Sequence, residues 1–262
     1  LLGSLLDADL SLETLQADLA HLPVEGYRLA ADRVTRRGLA GTHLRVQIED
    51  RERPARDLAA IERVLGEAEG LSSAIRARSL EVFRRLAEAE ASVHGTTLDQ
   101  IHFHEIGAVD SLVDIVGFVC GLERLGIEAV YSSPLTLGGG AIQTEHGRLP
   151  APAPATLALA AAVGAPTVPG PALTELVTPT GAALLTTFAA FERPAMTVKA
   201  VGYGFGTKEF DWPNAVRVWL GEPLAGRETP ISDQVVELAC NLDDATGESL
   251  GYVMQRLLAA GA

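Results

Sequence analysis

The chain is poor in cysteine, tryptophan and basic residues, and each shortage excludes something. It has two cysteines in 262 residues. Cys120 and Cys240 lie far apart in apolar surroundings, which excludes a disulfide-stapled scaffold or a cysteine zinc knuckle. They read as reduced core residues of a cytosolic protein. Lys and Arg number 21 against 34 Asp and Glu, for a net charge of −13 and a pI near 4.9. Such a balance argues against nonspecific binding to nucleic acid or an anionic membrane. It is compatible with attracting cations, and equally with plain solubility. No apolar run reaches the ~18 residues that a membrane span needs. The most apolar stretch, Ala151 to Val163, is interrupted by Pro152 and Pro154. Leu1 to Leu6 has no basic flank and meets Asp7 and Asp9 at once, so no signal peptide is read there, and the sequence starts without Met. What is present is 47 % hydrophobic residues, ample for a core. At roughly 150 residues per domain, the length implies two domains.

Periodicity predicts an α/β fold, with α+β as the alternative. Leu1 to Leu6 and Leu12 to Leu22 read as helices, the second capped by Ser11. Tyr27 to Ala31 and His43 to Ile48 alternate as strands around a turn at Gly38 to Gly41. Together they suggest a small N-terminal αα/ββ module over residues 1–50. A helical segment follows at 51–97, broken at Gly70 to Ser73, with Ser72 or Ser73 as a cap. A central α/β domain is expected at 98–222. It contains a strand Ile101 to His104, helices Ser111 to Leu125, Pro154 to Val163 and Thr180 to Ala190, and strands Ala129 to Ser132, Met196 to Val201 and Ala215 to Leu220. Residues 223–262 read as a linker and the start of a C-terminal α+β module.

The densest chemistry lies between Ile101 and Gly117, in IHFHEIGAVDSLVDIVG. His102, His104, Glu105, Asp110 and Asp114 sit on an otherwise apolar scaffold, where ionised carboxylates need a partner or a cation. His102 and His104 are two apart on an expected strand and face one side, so they offer two imidazoles to a transition metal or are half-buried strand histidines. Asp110 and Asp114 share a helix face and suit Mg²⁺ or Mn²⁺. Asp110, in competition with Ser111, could instead be a cap. Gly138, Gly139 and Gly140 either bring amides to a phosphate or make a turn. Glu145 and His146 fall between a ligand role and a surface loop. Thr180 and Gly181 open a helix and either bind an anion or cap it. GYGFGTK at 202–208 is not a dinucleotide fingerprint, since no helix follows, but Lys208 is a possible phosphate partner. Asp243 and Asp244, with Glu248, suit a cation carrying a nucleotide phosphate.

These segments together resemble the nickel-insertion proteins of the nickel-pincer cofactor pathway, the LarC family. The similarity covers most of the chain. It rests on HFHEIGAVDSLVDIVG (102–117), YSSPLTLGGG (131–140), EHGRLPAPAPATL (145–157), ELVTPTGAALL (175–185), GYGFGTK (202–208) and NLDDATGE (241–248). The visible departures are that the acidic, Gly-rich segment usual before LLGSLLDADL is missing, that the usual His-rich stretch is here only RERPAR, and that the C-terminal module stops at Ala262, soon after it begins. The resemblance implies CTP-dependent insertion of Ni²⁺ into pyridinium-3,5-bisthiocarboxylic acid mononucleotide, giving the cofactor of lactate racemase. That makes the chain a chelatase-type lyase, or cyclometallase, which uses Mg²⁺ or Mn²⁺ with CTP. Its implied setting is the cytoplasm, as a homo-oligomer that passes its product to lactate racemase apoprotein, with no nucleic-acid or membrane partner. On this basis His102, His104 and His146 are candidate nickel ligands. Asp243 and Asp244 are candidates for the CTP-bound cation. Glu105, Asp110 and Asp114 are candidate catalytic acids or bases, one accepting the proton lost as the carbon–nickel bond forms. Gly138 to Gly140, Thr180, Gly181 and Lys208 are candidate phosphate contacts. The rivals are a metal-dependent phosphohydrolase or nucleotidyltransferase and a non-catalytic nickel chaperone.

Overall fold

The computed structural model describes residues 1–48, 56–101, 109–144, 147–224 and 247–259. Helices and strands alternate in an α/β fold. Helices α1 (Leu2–Ala8) and α2 (Leu12–Leu19) lead into the hairpin β1 (Tyr27–Arg36) and β2 (Leu39–Ile48). Helices α3 (Leu58–Glu67), α4 (Ser73–His94) and α5 (Val109–Arg124) follow. Short strands β3 (Val130–Tyr131), β4 (Leu135–Leu137), β5 (Ala141–Thr144) and β6 (Gly147–Pro150) precede α6 (Pro154–Ala162). Then come β7 (Thr167–Pro169), α7 (Pro179–Phe188), β8 (Ala189–Ala190) and the hairpin β9 (Met196–Phe205) and β10 (Ala215–Pro223). These belong to one compact unit, Leu1–Ala225; helix α8 (Gly247–Ala259) belongs to a second, Gly226–Ala262. Most of the expected strand Ile101 to His104, and most of the expected linker and C-terminal module, lie outside the described residues.

Capping sets several helix starts. Ser11 Oγ accepts the Thr14 N–H at 3.3 Å, Asp57 Oδ1 accepts that of Ala60 at 2.7 Å, and Ser72 Oγ that of Ile75 at 3.1 Å. Each satisfies an amide that the first turn leaves without a helical partner. The strands β1 and β2 run further than their alternation predicts. The reason is the turn: Arg36 pairs with Leu39, so the loop is only Arg37 and Gly38, with φ of 50° and 80°. A two-residue loop with both residues left-handed matches the strand twist and lets the ladder continue to its tip.

The main sheet has the order β1-β2-β9-β10, two antiparallel hairpins joined by a parallel contact that sets Thr42 opposite Gly204. Parallel pairs β3·β8 and β4·β7 and the hairpin β5·β6 complete the pairing described. Residues expected to form an N-terminal module, a helical segment and a central domain contribute to a single hydrophobic core. Leu15 and Leu19, Phe83 and Leu86, and Leu112, Ile115 and Ala182 all belong to it. Helix α4 packs against α3, α5, α6 and α7.

The glycines of GYGFG are explained by packing. Helix α1 crosses β9 so closely that a Cβ on Gly202 would lie 2.1 Å from the Ser4 carbonyl oxygen, and one on Gly204 2.5 Å from the Ser4 nitrogen. Asp7 fastens the crossing. Its carboxylate accepts the Tyr203 N–H at 2.8 Å and the Thr42 hydroxyl at 2.9 Å, and pairs with Arg33. Those partners offset the desolvation of a carboxylate whose side chain is 4 % exposed. A second tie joins α2 to α5, where Arg124 donates to Asp18 from Nε at 2.8 Å and from Nη2 at 2.5 Å, a two-point geometry that fixes orientation as well as distance.

Candidate functional site

Helix α5 is held by its apolar faces, with Val109, Leu112, Val113, Ile115, Val116 and Val119 buried. Its described part begins at Val109, which places Asp110 and Ser111 inside the first turn rather than before it. Asp110 is exposed, and its Oδ1 accepts the Ser111 N–H at 2.9 Å. Asp114 lies one turn on, among apolar neighbours. Burial pushes its carboxyl up from 3.8 to about 6; Asp110 acts in the same direction and the Leu1 amino group against it. A carboxyl in that range can exchange a proton near neutral pH, which a general acid or base requires.

The sign of the linkage follows. Between pH 3.8 and about 6 the folded chain keeps a proton on Asp114 that the unfolded chain has released. The contribution of this group to stability therefore falls as pH rises through that window. Asp114→Asn should gain on the parent by about 2 kcal/mol between pH 4 and pH 7.5, at 1.36 kcal/mol per pKa unit, part of the change being complete already at pH 4. Urea midpoints at the two pH values check this; a constant difference between variant and parent would place Asp114 in a water-like setting.

The glycine run lies against a neighbouring segment. A Cβ on Gly138 would sit 1.8 Å from the Thr174 carbonyl oxygen, and one on Gly140, whose φ is 77°, 2.7 Å from that of Leu173. The Gly139 N–H donates to the Ala172 carbonyl at 2.8 Å. Close backbone approach thus accounts for Gly138 and Gly140, and the Gly139 amide is already used. Lys208 reaches the same segment, donating from Nζ to Thr174 Oγ1 at 3.0 Å and to the Glu175 carbonyl at 3.3 Å. The cap of α7 is Thr178, not Thr180; its Oγ1 accepts the Gly181 N–H at 3.2 Å. The structure therefore brings Gly138 to Gly140, Lys208, Thr180 and Gly181 to the stretch 172–181. Asp110 and Asp114 belong to α5, a separate element.

Two residues that sequence reasoning passed over also converge on Lys208. Arg36 and Arg37, at the β1–β2 turn, line a cavity of about 260 Å³ with it. An arginine directly before the glycine of a two-residue hairpin turn was the available signal, because that position favours Asn, Asp or Gly.

The candidate ligands His102, His104 and His146, the candidate acid Glu105 with Glu145, and Asp243 and Asp244 lie outside the described residues. Among the described residues, no group of three or more His, Cys, Asp or Glu could hold a metal ion. Those residues alone do not make the divalent-cation site expected with CTP. No helix among the described residues is long and apolar enough to cross a membrane.

The family described as Nickel insertion protein matches residues 1–262. The chain belongs to that family. Its relatives include proteins named for nickel insertion from Thermomicrobium roseum, 52 % identical over 263 residues, and Roseiflexus castenholzii, 48 % identical over 261. Both alignments cover all of this chain, and 64 % and 66 % of the relative. A third, from Geobacter sp. strain M21, is 44 % identical over 99 % of this chain and 67 % of its own length. The chain thus spans about two thirds of the length of the curated relatives it matches. No solved structure matches it. The nickel insertion family match includes all six segments that carried the resemblance, so every candidate residue above lies inside the matched region.

Proposed function

We propose that the protein containing this chain inserts Ni²⁺ into pyridinium-3,5-bisthiocarboxylic acid mononucleotide in a CTP-dependent reaction. The product is the nickel-pincer cofactor of lactate racemase. The observation that carries this reading is the family match over the whole chain. Ni²⁺ is the reaction's substrate metal. His102, His104 and His146 are its proposed ligands, because neutral imidazole suits nickel while carboxylates suit Mg²⁺ or Mn²⁺. Asp114, with its carboxyl raised to about 6, is the described residue best suited to take up the proton released as the carbon–nickel bond forms, with Glu105 and Asp110 as the other candidates. Asp243 and Asp244 are proposed to bind the CTP-associated cation. The reaction is placed in the cytoplasm, with a homo-oligomer delivering its product to lactate racemase apoprotein.

The test is a reaction of the full-length protein with the substrate mononucleotide, Ni²⁺ and CTP, followed by the absorption of the organonickel product. The expected result is product formation that requires all three. Nucleotide turnover without the thiocarboxylate substrate would move the reading to a phosphohydrolase or nucleotidyltransferase. Tight nickel binding with no nucleotide dependence would reduce it to a chaperone.

A further inference from the structure

The cavity between the β1–β2 turn and the β9–β10 connection runs against the charge of the chain. The protein as a whole carries −13, yet Arg36, Arg37 and Lys208 line this cavity against a single lining carboxylate, Glu209. Arg36 is spent on structure. It donates from Nη1 to the Gly206 carbonyl at 2.6 Å, its Nε lies 3.3 Å from Glu209 Oε1, and its guanidinium stands over Phe205 at 5.4 Å. That pairing neutralises Glu209.

Arg37 and Lys208 remain. Among the described residues no carboxylate pairs with either. Arg37 uses only Nε, donating to the Phe210 carbonyl at 3.1 Å, and keeps both Nη groups. Lys208 donates to a hydroxyl and a carbonyl and keeps its third proton. Both charged ends are thus anchored with donors to spare, so little side-chain freedom is lost when an anion arrives. The backbone points the same way. Arg37 has φ of 50°, a left-handed conformation costly for a residue with a long side chain. The turn alone would be better served by Asn or Asp. The aromatic side of the cavity is the Phe210–Trp212 stack, with ring centroids 4.5 Å apart and planes 24° apart. Its volume, about 260 Å³, falls below the roughly 300–1,000 Å³ of drug-sized sites, so it takes one small anionic ligand.

We propose that this cavity binds a phosphomonoester carried on a flat ring, with Arg37 and Lys208 on the phosphate and the Phe210–Trp212 stack beside the ring. A guanidinium fork plus an ammonium matches a dianion with three oxygens, whereas a carboxylate would be satisfied by Arg37 alone. The inference deepens the proposed function and rests on it for the identity of the ligand, since the substrate named there is itself a mononucleotide and Lys208 is among its candidate phosphate contacts; none of the proposed nickel ligands lines the cavity.

Calorimetric titration of the 262-residue chain at low salt tests it, with adenosine 5′-monophosphate, adenosine and inorganic phosphate as probes. The monophosphate should bind, phosphate alone should bind more weakly, and adenosine should not bind at millimolar concentration. Arg37→Gln and Lys208→Gln should each weaken monophosphate binding by about tenfold or more, as loss of a charge-assisted hydrogen bond implies. Glu209→Gln alters a side chain 73 % exposed and should tighten binding several-fold. It gives a readout that survives if either cation variant folds poorly. Three results would overturn the proposal: no heat from the parent with the monophosphate or phosphate, adenosine binding as well as its monophosphate, or unchanged affinity in Glu209→Gln together with well-folded cation variants that bind like the parent. Nickel affinity measured on the same samples separates failure here from failure of the insertion reading.

Discussion

Gly202→Val should unfold the chain or cost it at least about 4 kcal/mol, at the far end of what single substitutions do. A Cβ at this position meets the Ser4 carbonyl oxygen at 2.1 Å, the Ala8 nitrogen at 2.5 Å and the Ala8 Cβ at 2.8 Å. The first two are backbone atoms of α1 and the residue ends that helix, so no rotamer change relieves the clash; the helix must lift off β9. Lifting it would pull Asp7 from the Tyr203 amide and the Thr42 hydroxyl, and would open the core that Leu2 and Leu5 complete. Losing those bonds leaves a buried carboxylate with fewer partners, which adds to the steric cost. Gly204→Ala should also be severe, because its Cβ meets the Ser4 nitrogen at 2.5 Å. Gly206→Ala is the control: it lies just beyond β9, no heavy atom lies within 4 Å of its added Cβ, and its midpoint should shift within about 0.5 kcal/mol. Urea denaturation of the three variants checks the set. A Gly202→Val protein that melts like the parent would mean that α1 does not rest on β9.

Those glycines mark the limit of what the sequence makes legible. Local chemistry is readable: Ser11 caps α2, Ser72 caps α4, and Pro154 starts α6 in its first turn. Each depends on residues within four of one another. Pairing across the chain is not readable. Nothing in HLRVQI announces that β2 will meet β9, and nothing in GYGFG announces that a helix two hundred residues earlier will cross it. The glycines therefore invite a ligand-binding reading when their cause is packing. The β1–β2 turn illustrates the same limit at short range. Gly38 to Gly41 reads as a loop, but Arg37 accepts a left-handed conformation that its residue type disfavours, and the strands lengthen to meet it. At the candidate site, apolar neighbours point to desolvation of Asp114, which is half-buried and whose carboxyl burial raises. Lys208 stands out in the sequence by type and position. Its companions Arg36 and Arg37 were hidden, because only the closed sheet carries them there. At the start of α7 the sequence leaves Thr180 and Gly181 open between anion contact and cap, because two threonines flank Pro179 and only backbone geometry gives the cap to Thr178.

The other large effect concerns nickel. His102→Ala and His104→Ala should each weaken Ni²⁺ binding by at least about tenfold, because even outer-shell partners of metal ligands cost ten- to a hundredfold when removed. In sequence they fall between two core residues, Ile101 at 5 % exposure and Val109 at 0 %, whose packing among the described residues does not depend on the histidines. Melting temperature should accordingly change little in either variant. His21→Ala, an exposed histidine outside the proposed ligand set, should leave nickel affinity unchanged. Protonated imidazole cannot ligate, so binding by the parent should fall as pH drops through about 6.5, and the fall should be shallower in a variant with one imidazole fewer. Asp114 titrates near pH 6 and would blur that profile, so the titration belongs in an Asp114→Asn background, where the remaining slope reports imidazole. If both histidine variants bind nickel as the parent does, the metal is held elsewhere, and Glu145 with His146 becomes the next pair to remove. If instead both lose their fold, the residues are core histidines, and the nickel ligands must again be sought at that second pair.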